Sequence, residues 1–426
     1  MDTVARGTLT NLATRVLALL GVLLITTLTA RLGTEVQGAF ALFTSVEGLL
    51  LAVFSGFGVA LARRVSHHGD DGRGVVTAVL LCCVGLGVVA SLLLMLISRH
   101  GPAAYAPLWV LALGAPLLLV APNLAGLWLG QGRMAPMAAL TLAPPWLALA
   151  LWVGLWAAQQ TGLLPVLSAW VLAKVVVGAV LVTLLWRAGR LAAPAWNVLR
   201  ADARFIAVIG LTNLIGLLNY RVGLFVVERT LGLAATGVYS IAVVLAELLW
   251  FVSSSLTQAV YGRIGTADRA AAAATTVRAV QLSVAVLVLT APLLWALAAW
   301  AVPRLLGPAY AGSLWPLALL LPGAMVFGGA SALSAYFTNH AGKPHVPARV
   351  AAASLLVNGA SATLLVPWMG SAGAALAASV SYAVSVLWLA WLFARHSGLP
   401  LARVLLPQPQ LWADLRAVAS RAGGRP

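Results

Sequence analysis

Long runs of Leu, Val and Ala alternate along the chain with short polar or basic interruptions. A transmembrane helix needs about 20 predominantly apolar residues to cross roughly 30 Å of hydrocarbon. Read against that length, the pattern predicts twelve spans, at 8–30, 38–62, 75–98, 106–130, 136–158, 162–186, 205–227, 234–262, 275–301, 313–339, 345–366 and 371–394. Backbone groups in hydrocarbon must bond within their own segment, and the runs lack the short alternating segments of a membrane barrel, so the spans are expected to be helices. The fold class is all-α and polytopic, with no room for a soluble domain.

Composition sharpens this picture: 62% of the 426 residues are hydrophobic and 8% are charged, far outside the range of soluble domains. A formal charge of +16 on a soluble chain would suggest nucleic acid. Its distribution argues otherwise. With the N-terminus inside, the inner segments carry 19 basic residues and the outer loops only Arg31, Arg99, Arg229 and Arg304. That asymmetry follows the positive-inside rule, so both termini are expected in the cytoplasm and the chain in the cytoplasmic (inner) membrane, with no nucleic-acid partner. The basic front at Arg6 and Arg15 is followed by no A-x-A-like cleavage site, so the first apolar run is read as a retained helix. Cys82 and Cys83 are adjacent and lack metal-ligand spacing, and no cofactor or metal is expected.

The longest inner connection, RAGRLAAPAWNVLRADAR at 187–204, separates two sets of six spans. The expected organisation is an N-terminal lobe at 1–186, this linker, a C-terminal lobe at 205–394, and a basic tail at 395–426. The hairpin sequences ARLGTEVQGAF (30–40) and ERTLGLAATGVY (228–239) echo each other, each placing a Gly and an aromatic after an arginine, as Gly38 with Phe40 and Gly237 with Tyr239. Arginines in the first and seventh spans (Arg15, Arg221) and glutamates in the second and eighth (Glu47, Glu247) strengthen the repeat. In the tail, Leu411, Trp412, Leu415 and Val418 share one face if 411–421 is helical; the alternative is a disordered basic tail.

A charge at mid-membrane costs roughly 2.5–3.5 kcal/mol on insertion scales, so it is retained where it pairs or faces a wet cavity. Lys174 lies near the centre of the sixth span, whereas Arg221 and Arg15 lie closer to the ends of theirs, where snorkelling to headgroups is the competing reading. Glu47 and Glu247 are either counter-ions holding helices in register or carriers of a coupling H+ or Na+. Two arginines and a lysine against two acids leave a net basic set suited to an anion, and the guanidinium fork matches phosphate oxygens. Asn123, Asn213, Asn219 and Asn358 are candidates for a polar cavity lining, or else for interhelical hydrogen bonds. Tyr220, Tyr239 and Trp250 either stack on sugar faces or pack in the core. Pro122, Pro144, Pro145, Pro292 and Pro322 mark points where spans can bend.

The stretch YFTNHAGKPHVPARVAAASLLVNGASATLLVPWMGSAGAALA (336–377), through Gly342-Lys343-Pro344, Val357-Asn358, Leu365-Val366-Pro367, Gly370 and Gly373-Ala374-Ala375, resembles the signature region of the polysaccharide-export and O-unit flippases of the MOP transporter superfamily. Ala5-Arg6-Gly7, Ala30-Arg31-Leu32-Gly33, Gly237 to Ala242, Arg304 to Gly307 and Leu321-Pro322-Gly323 resemble the same pattern, so both halves take part. The resemblance implies two six-helix lobes around a central cavity. It implies a polyprenyl-(pyro)phosphate-linked oligosaccharide as substrate, and membrane lipids, a polysaccharide polymerase or glycosyltransferases as partners. Arg15, Lys174 and Arg221 are the candidates for the cationic lumen of such flippases, matched by location rather than by motif. The two extra helices usual in lipid II flippases are not found.

A cation-driven drug or metabolite exporter of the same fold would favour acids and aromatics over three basic groups. A membrane enzyme, of polymerase or ligase type, would need a clustered acid, base or nucleophile, commonly in a large outer loop. The outer loops are short, and His67, His68, His100, His340, His345 and His396 lie at span ends, in loops or at the start of the tail. His67 and His68 beside Asp70 and Asp71 read as a solvated loop rather than a metal site.

Overall fold

A computed structural model describes residues 3–68, 72–266 and 268–406. The segment from Leu411 to Val418, where a surface helix and a disordered tail are the alternatives, and the Asp70–Asp71 pair lie outside the described residues, as do the side chains of Arg6, His67 and His68. The described chain is helical, without a strand. Eleven of its helical segments are long and apolar enough to cross a membrane: Ala13–Ala30, Thr34–Ser66, Arg73–His100, Leu108–Gly130, Met134–Ala157, Leu163–Arg187, Ala203–Trp250, Arg269–Leu305, Pro308–His340, His345–Met369 and Ser371–Ser397.

The seventh segment belongs to the helix Ala203–Ile264, which is interrupted at Gly232, where φ is 83° and ψ −178°. Residues with a Cβ essentially never adopt that conformation, so glycine lets the chain reverse there. Two arms, 203–231 and 233–264, result, and the count becomes the expected twelve spans. The first hairpin turns at Gly33, also at positive φ (125°). Gly33 and Gly232 are 199 residues apart, as are Phe40 and Tyr239, so the sequence echo between the two hairpins marks equivalent bends. Beyond the bends the repeat loosens: at that offset Arg15 falls opposite Leu214, not Arg221.

The chain forms two compact units, Met1–Leu217 and Leu218–Pro426. In each, small residues let helix backbones touch, the usual solution where lipid offers no hydrophobic drive to association. In the first unit Gly126 lies against the Gly58 backbone, Gly87 against Pro116, and Gly178 against Leu117. In the second, Gly323 packs on Ser379, and Gly373 on the backbone of Leu365. The outer surface carries Leu92, Leu113, Leu293, Leu364 and Trp368, all exposed. A soluble protein with such a surface would associate; a hydrocarbon solvent accepts it.

Two spans are discontinuous. The fourth breaks at Leu119, between helices Leu108–Leu118 and Val120–Gly130, with Pro116 and Pro122 three residues to either side. The tenth stops at Phe327, resumes at Ala330 after Gly328 and Gly329, and ends in a π-helical turn over Tyr336–His340. They are the fourth span of each set of six, and interrupted helices at corresponding places in two repeats are where transporters build their binding sites.

Candidate functional site

Each unit holds an ion pair within its spans, with a buried acid in the first and a partly buried acid in the second. In the N-terminal unit the acid is Glu47 on the second span, only 2% exposed. Its Oε1 pairs with the Lys174 ammonium, and its Oε2 accepts from the Trp170 indole Nε1 at 2.6 Å. Trp170 and Lys174 are four residues apart on the sixth span, one helical turn, so both donors stand on the same face. The ammonium also lies 4.0 Å from the centre of the Trp170 ring, and that ring is held edge-on by Phe40 at 5.5 Å. Glu47 therefore has both oxygens engaged, and Lys174 is steadied by a carboxylate and a π-face together. Lys174 lies within about one residue of the middle of its helix, so the ion pair sits deep.

Lys174 also faces a cavity of about 300 Å³ inside this unit. Its walls are Leu51, Leu118, Pro122, Met137, Leu140 and Val177, among others, with Thr141 the other polar liner. The cavity lies at the break in the fourth span and at Pro144 within the fifth.

In the C-terminal unit Arg221 and Glu247 come from the two arms on either side of Gly232. They meet in a two-pronged pair, Nη1 to Oε1 at 2.8 Å and Nη2 to Oε2 at 3.2 Å. The arm carrying Arg221 continues to residue 231, so at 1.5 Å per residue the arginine is only about 6 Å from the middle of its arm. The sequence expectation that it lies near a span end reflects a span drawn too short. Beside the pair, Tyr220, Trp250, Phe327 and Tyr382 form a mutually packed aromatic cluster with centroids 4.5–6.2 Å apart. A small cavity of about 10 Å³, room for roughly one water, is lined by Tyr220, Tyr239, Glu247, Trp250, Asn358 and Tyr382 among others. The Trp250 Nε1 and the Asn358 Oδ1 are buried without a hydrogen-bond partner among the described residues.

The asparagines divide into two groups. Asn358 donates to the Asn219 carbonyl at 2.7 Å and to its Oδ1 at 3.1 Å; Asn219 donates to Ser354 at 3.0 Å. This network joins the seventh and eleventh spans beside the small cavity. In the N-terminal unit Asn123 accepts from the Gly58 amide at 3.1 Å and donates to the Leu119 carbonyl at 2.8 Å, tying the second span to the fourth where its hydrogen-bond ladder is broken. Asn213 donates to Ser55 at 2.8 Å. Of the four, Asn358 lines the small cavity, and Asn123, Asn213 and Asn219 line neither of the cavities described above.

Arg15 is half-buried on the first span and makes no ion pair or hydrogen bond among the described residues. Glu47 thus takes its partner from the sixth span, while Glu247 takes its partner from the seventh. Trp170 was not among the candidates from sequence. The signal was present: a tryptophan one turn before a buried lysine, on a span with no other charge until Arg187 at its end.

No family model matches the sequence, and no curated protein matches it. Solved structures do. The chain is similar to a multidrug-resistance MATE transporter of the MOP superfamily in its inward-facing conformation, with a TM-score of 0.73 at 16% identity over 92% of this chain and 94% of that one. It is similar to the lipid II flippase MurJ in an inward closed conformation, with a TM-score of 0.65 at 14% identity over 94% of this chain and 89% of that one. A MOP-superfamily transporter from Pyrococcus furiosus, described by the reverse polarity of its binding pocket, aligns with a TM-score of 0.63 at 15% identity, covering 94% of this chain and 95% of that one. The fold is therefore shared with a multidrug-resistance MATE transporter and with a lipid II flippase.

Proposed function

We propose that the protein is a flippase that carries a polyprenyl-(pyro)phosphate-linked oligosaccharide from the inner to the outer leaflet of the cytoplasmic membrane by alternating access of its two lobes. The supporting observation is the pair of cations at membrane depth, Lys174 beside a cavity in one unit and Arg221 beside aromatic rings in the other. Phosphate oxygens suit both: the lysine as a point charge, the arginine as a fork. Each cation rests on a carboxylate until the passenger's phosphate competes for it, and the exchange lets both charges stay compensated through the cycle. Tyr220, Trp250 and Tyr382 supply flat faces of the kind sugars stack on. Glu47 and Glu247, released from their cations, are the groups that a coupling H+ or Na+ would occupy. Both termini face the cytoplasm, and the partners are the glycosyltransferases or polymerase that make and use the glycan. The signature-like stretch at 336–377 and the likeness to the fold of MurJ support the same reading.

The aromatic cluster also suits a flat organic cation, and the multidrug transporter with the same fold makes drug export the competing reading. Liposomes containing the purified protein separate the two. The account expects lipid-linked pyrophosphoryl sugar to become accessible on the far leaflet at a rate well above protein-free vesicles, with no movement of a cationic dye. Dye movement without lipid movement would instead identify an exporter.

A further inference from the structure

We propose that the cavity within the N-terminal unit is a binding site for a small anionic amphiphile, a phosphate monoester or carboxylate carried on a short hydrocarbon. An ammonium has three donor protons. One is taken by Glu47, and no second acceptor for Lys174 exists among the described residues. The other oxygen of Glu47 is turned to the Trp170 indole rather than to the ammonium. Glu47 is also absent from the cavity wall, so the cavity meets the cationic side of the ion pair and not the acidic side. The Thr141 hydroxyl, the other polar group on the wall, gives its proton to the Met137 carbonyl and keeps a lone pair for a donor.

An ammonium with donors turned to an otherwise apolar wall favours an occupant that brings acceptor oxygens. Around it stand Leu51, Leu118, Met137, Leu140 and Val177, which make no hydrogen bonds through their side chains, so the rest of the occupant is hydrocarbon. The volume of about 300 Å³ is at the small end of ligand pockets. It holds an anionic head with a short stretch of hydrocarbon, and a polyprenyl chain with its oligosaccharide would have to extend beyond it. Charge sets the sign: a cationic head would meet Lys174 as a like charge, and a neutral head would leave its field unanswered.

The proposal rests on the reading of Lys174 as an anion ligand, but it does not need the glycan-carrier function. Octyl phosphate has neither sugar nor polyprenyl chain, so binding without flipping, or flipping without binding, tells the two claims apart.

The test is calorimetric titration of the full-length protein in lipid nanodiscs, with empty nanodiscs subtracted. The probes are octyl phosphate, octanol, octyltrimethylammonium and inorganic phosphate. Octyl phosphate is expected to saturate one site, with each other probe at least tenfold weaker. Leu140→Trp fills the cavity while leaving the ion pair, and Lys174→Met with Glu47→Gln removes both charges together. Each is expected to weaken octyl phosphate at least tenfold. Ala125→Leu narrows the same cavity from the fourth span and takes the place of Leu140→Trp if that variant does not fold. Octanol binding as tightly as octyl phosphate, wild-type affinity in the filled cavity, or the absence of a saturable site would each overturn the proposal.

Discussion

Replacing Glu47 with alanine is expected to destabilise the protein by about 3–5 kcal/mol, because it strands Lys174 as an uncompensated charge in the middle of a helix. Lys174 would keep its position beside the Trp170 ring, and one cation–π contact, worth about 2 kcal/mol when desolvated, does not replace a carboxylate. The indole N–H, which now donates to Glu47, would lose its acceptor as well. The double change Glu47→Gln with Lys174→Met is expected to recover most of the loss, since replacing a buried pair by neutral groups of similar shape is often close to neutral. Thermal unfolding of the single and double variants in the same detergent checks this. Equal losses in both would mean that the carboxylate matters for its shape and not for its charge.

The second large effect concerns Arg221. If its fork grips the phosphate of the passenger, Arg221→Ala is expected to weaken binding of a polyprenyl pyrophosphate by roughly 10- to 100-fold, the worth of one to two charge-assisted hydrogen bonds. Arg221→Lys should restore less than half of that loss in free energy. An ammonium can replace the charge but not the two parallel N–H bonds seen toward Glu247. Titration of the two variants beside the wild type measures it. A lysine variant as good as the wild type would reduce the role of Arg221 to bulk charge.

Hydropathy made the spans legible because the bilayer imposes a length on every helix, and the twelve expected segments correspond to the helices of the structure. Span ends were less legible. The apolar run ends the seventh at residue 227, but Glu228, Arg229 and Thr230 continue the helix to the bend at Gly232, since polar residues do not end a helix and a glycine at positive φ does. Buried charges could be listed from sequence because insertion cost makes them rare. Their pairing could not, because it depends on which helix faces lie together. The sequence offers Glu47 only a neighbouring basic residue as counter-ion, and packing brings Lys174 of the sixth span to its side chain. Asn123 illustrates a related limit. As a lone polar residue in an apolar run it suits either a cavity or a bond between helices, and the break at Leu119 and the glycine contact at Gly58 make it the second. The cavity beside Lys174 has a partial signal in Pro122, on the interrupted fourth span, and Pro144, within the fifth, both of which line it.

The central claim is that cations held at membrane depth receive a phosphate. It is tested most directly by the affinity of the wild-type protein and of the Lys174→Met, Glu47→Gln double variant for a polyprenyl pyrophosphate. Both proteins have the same net charge in this region, so bulk electrostatics cancels in the comparison. The account predicts that the double variant binds at least tenfold more weakly and that the uncharged polyprenol binds both proteins equally. Equal affinity of the two proteins for the pyrophosphate would contradict it.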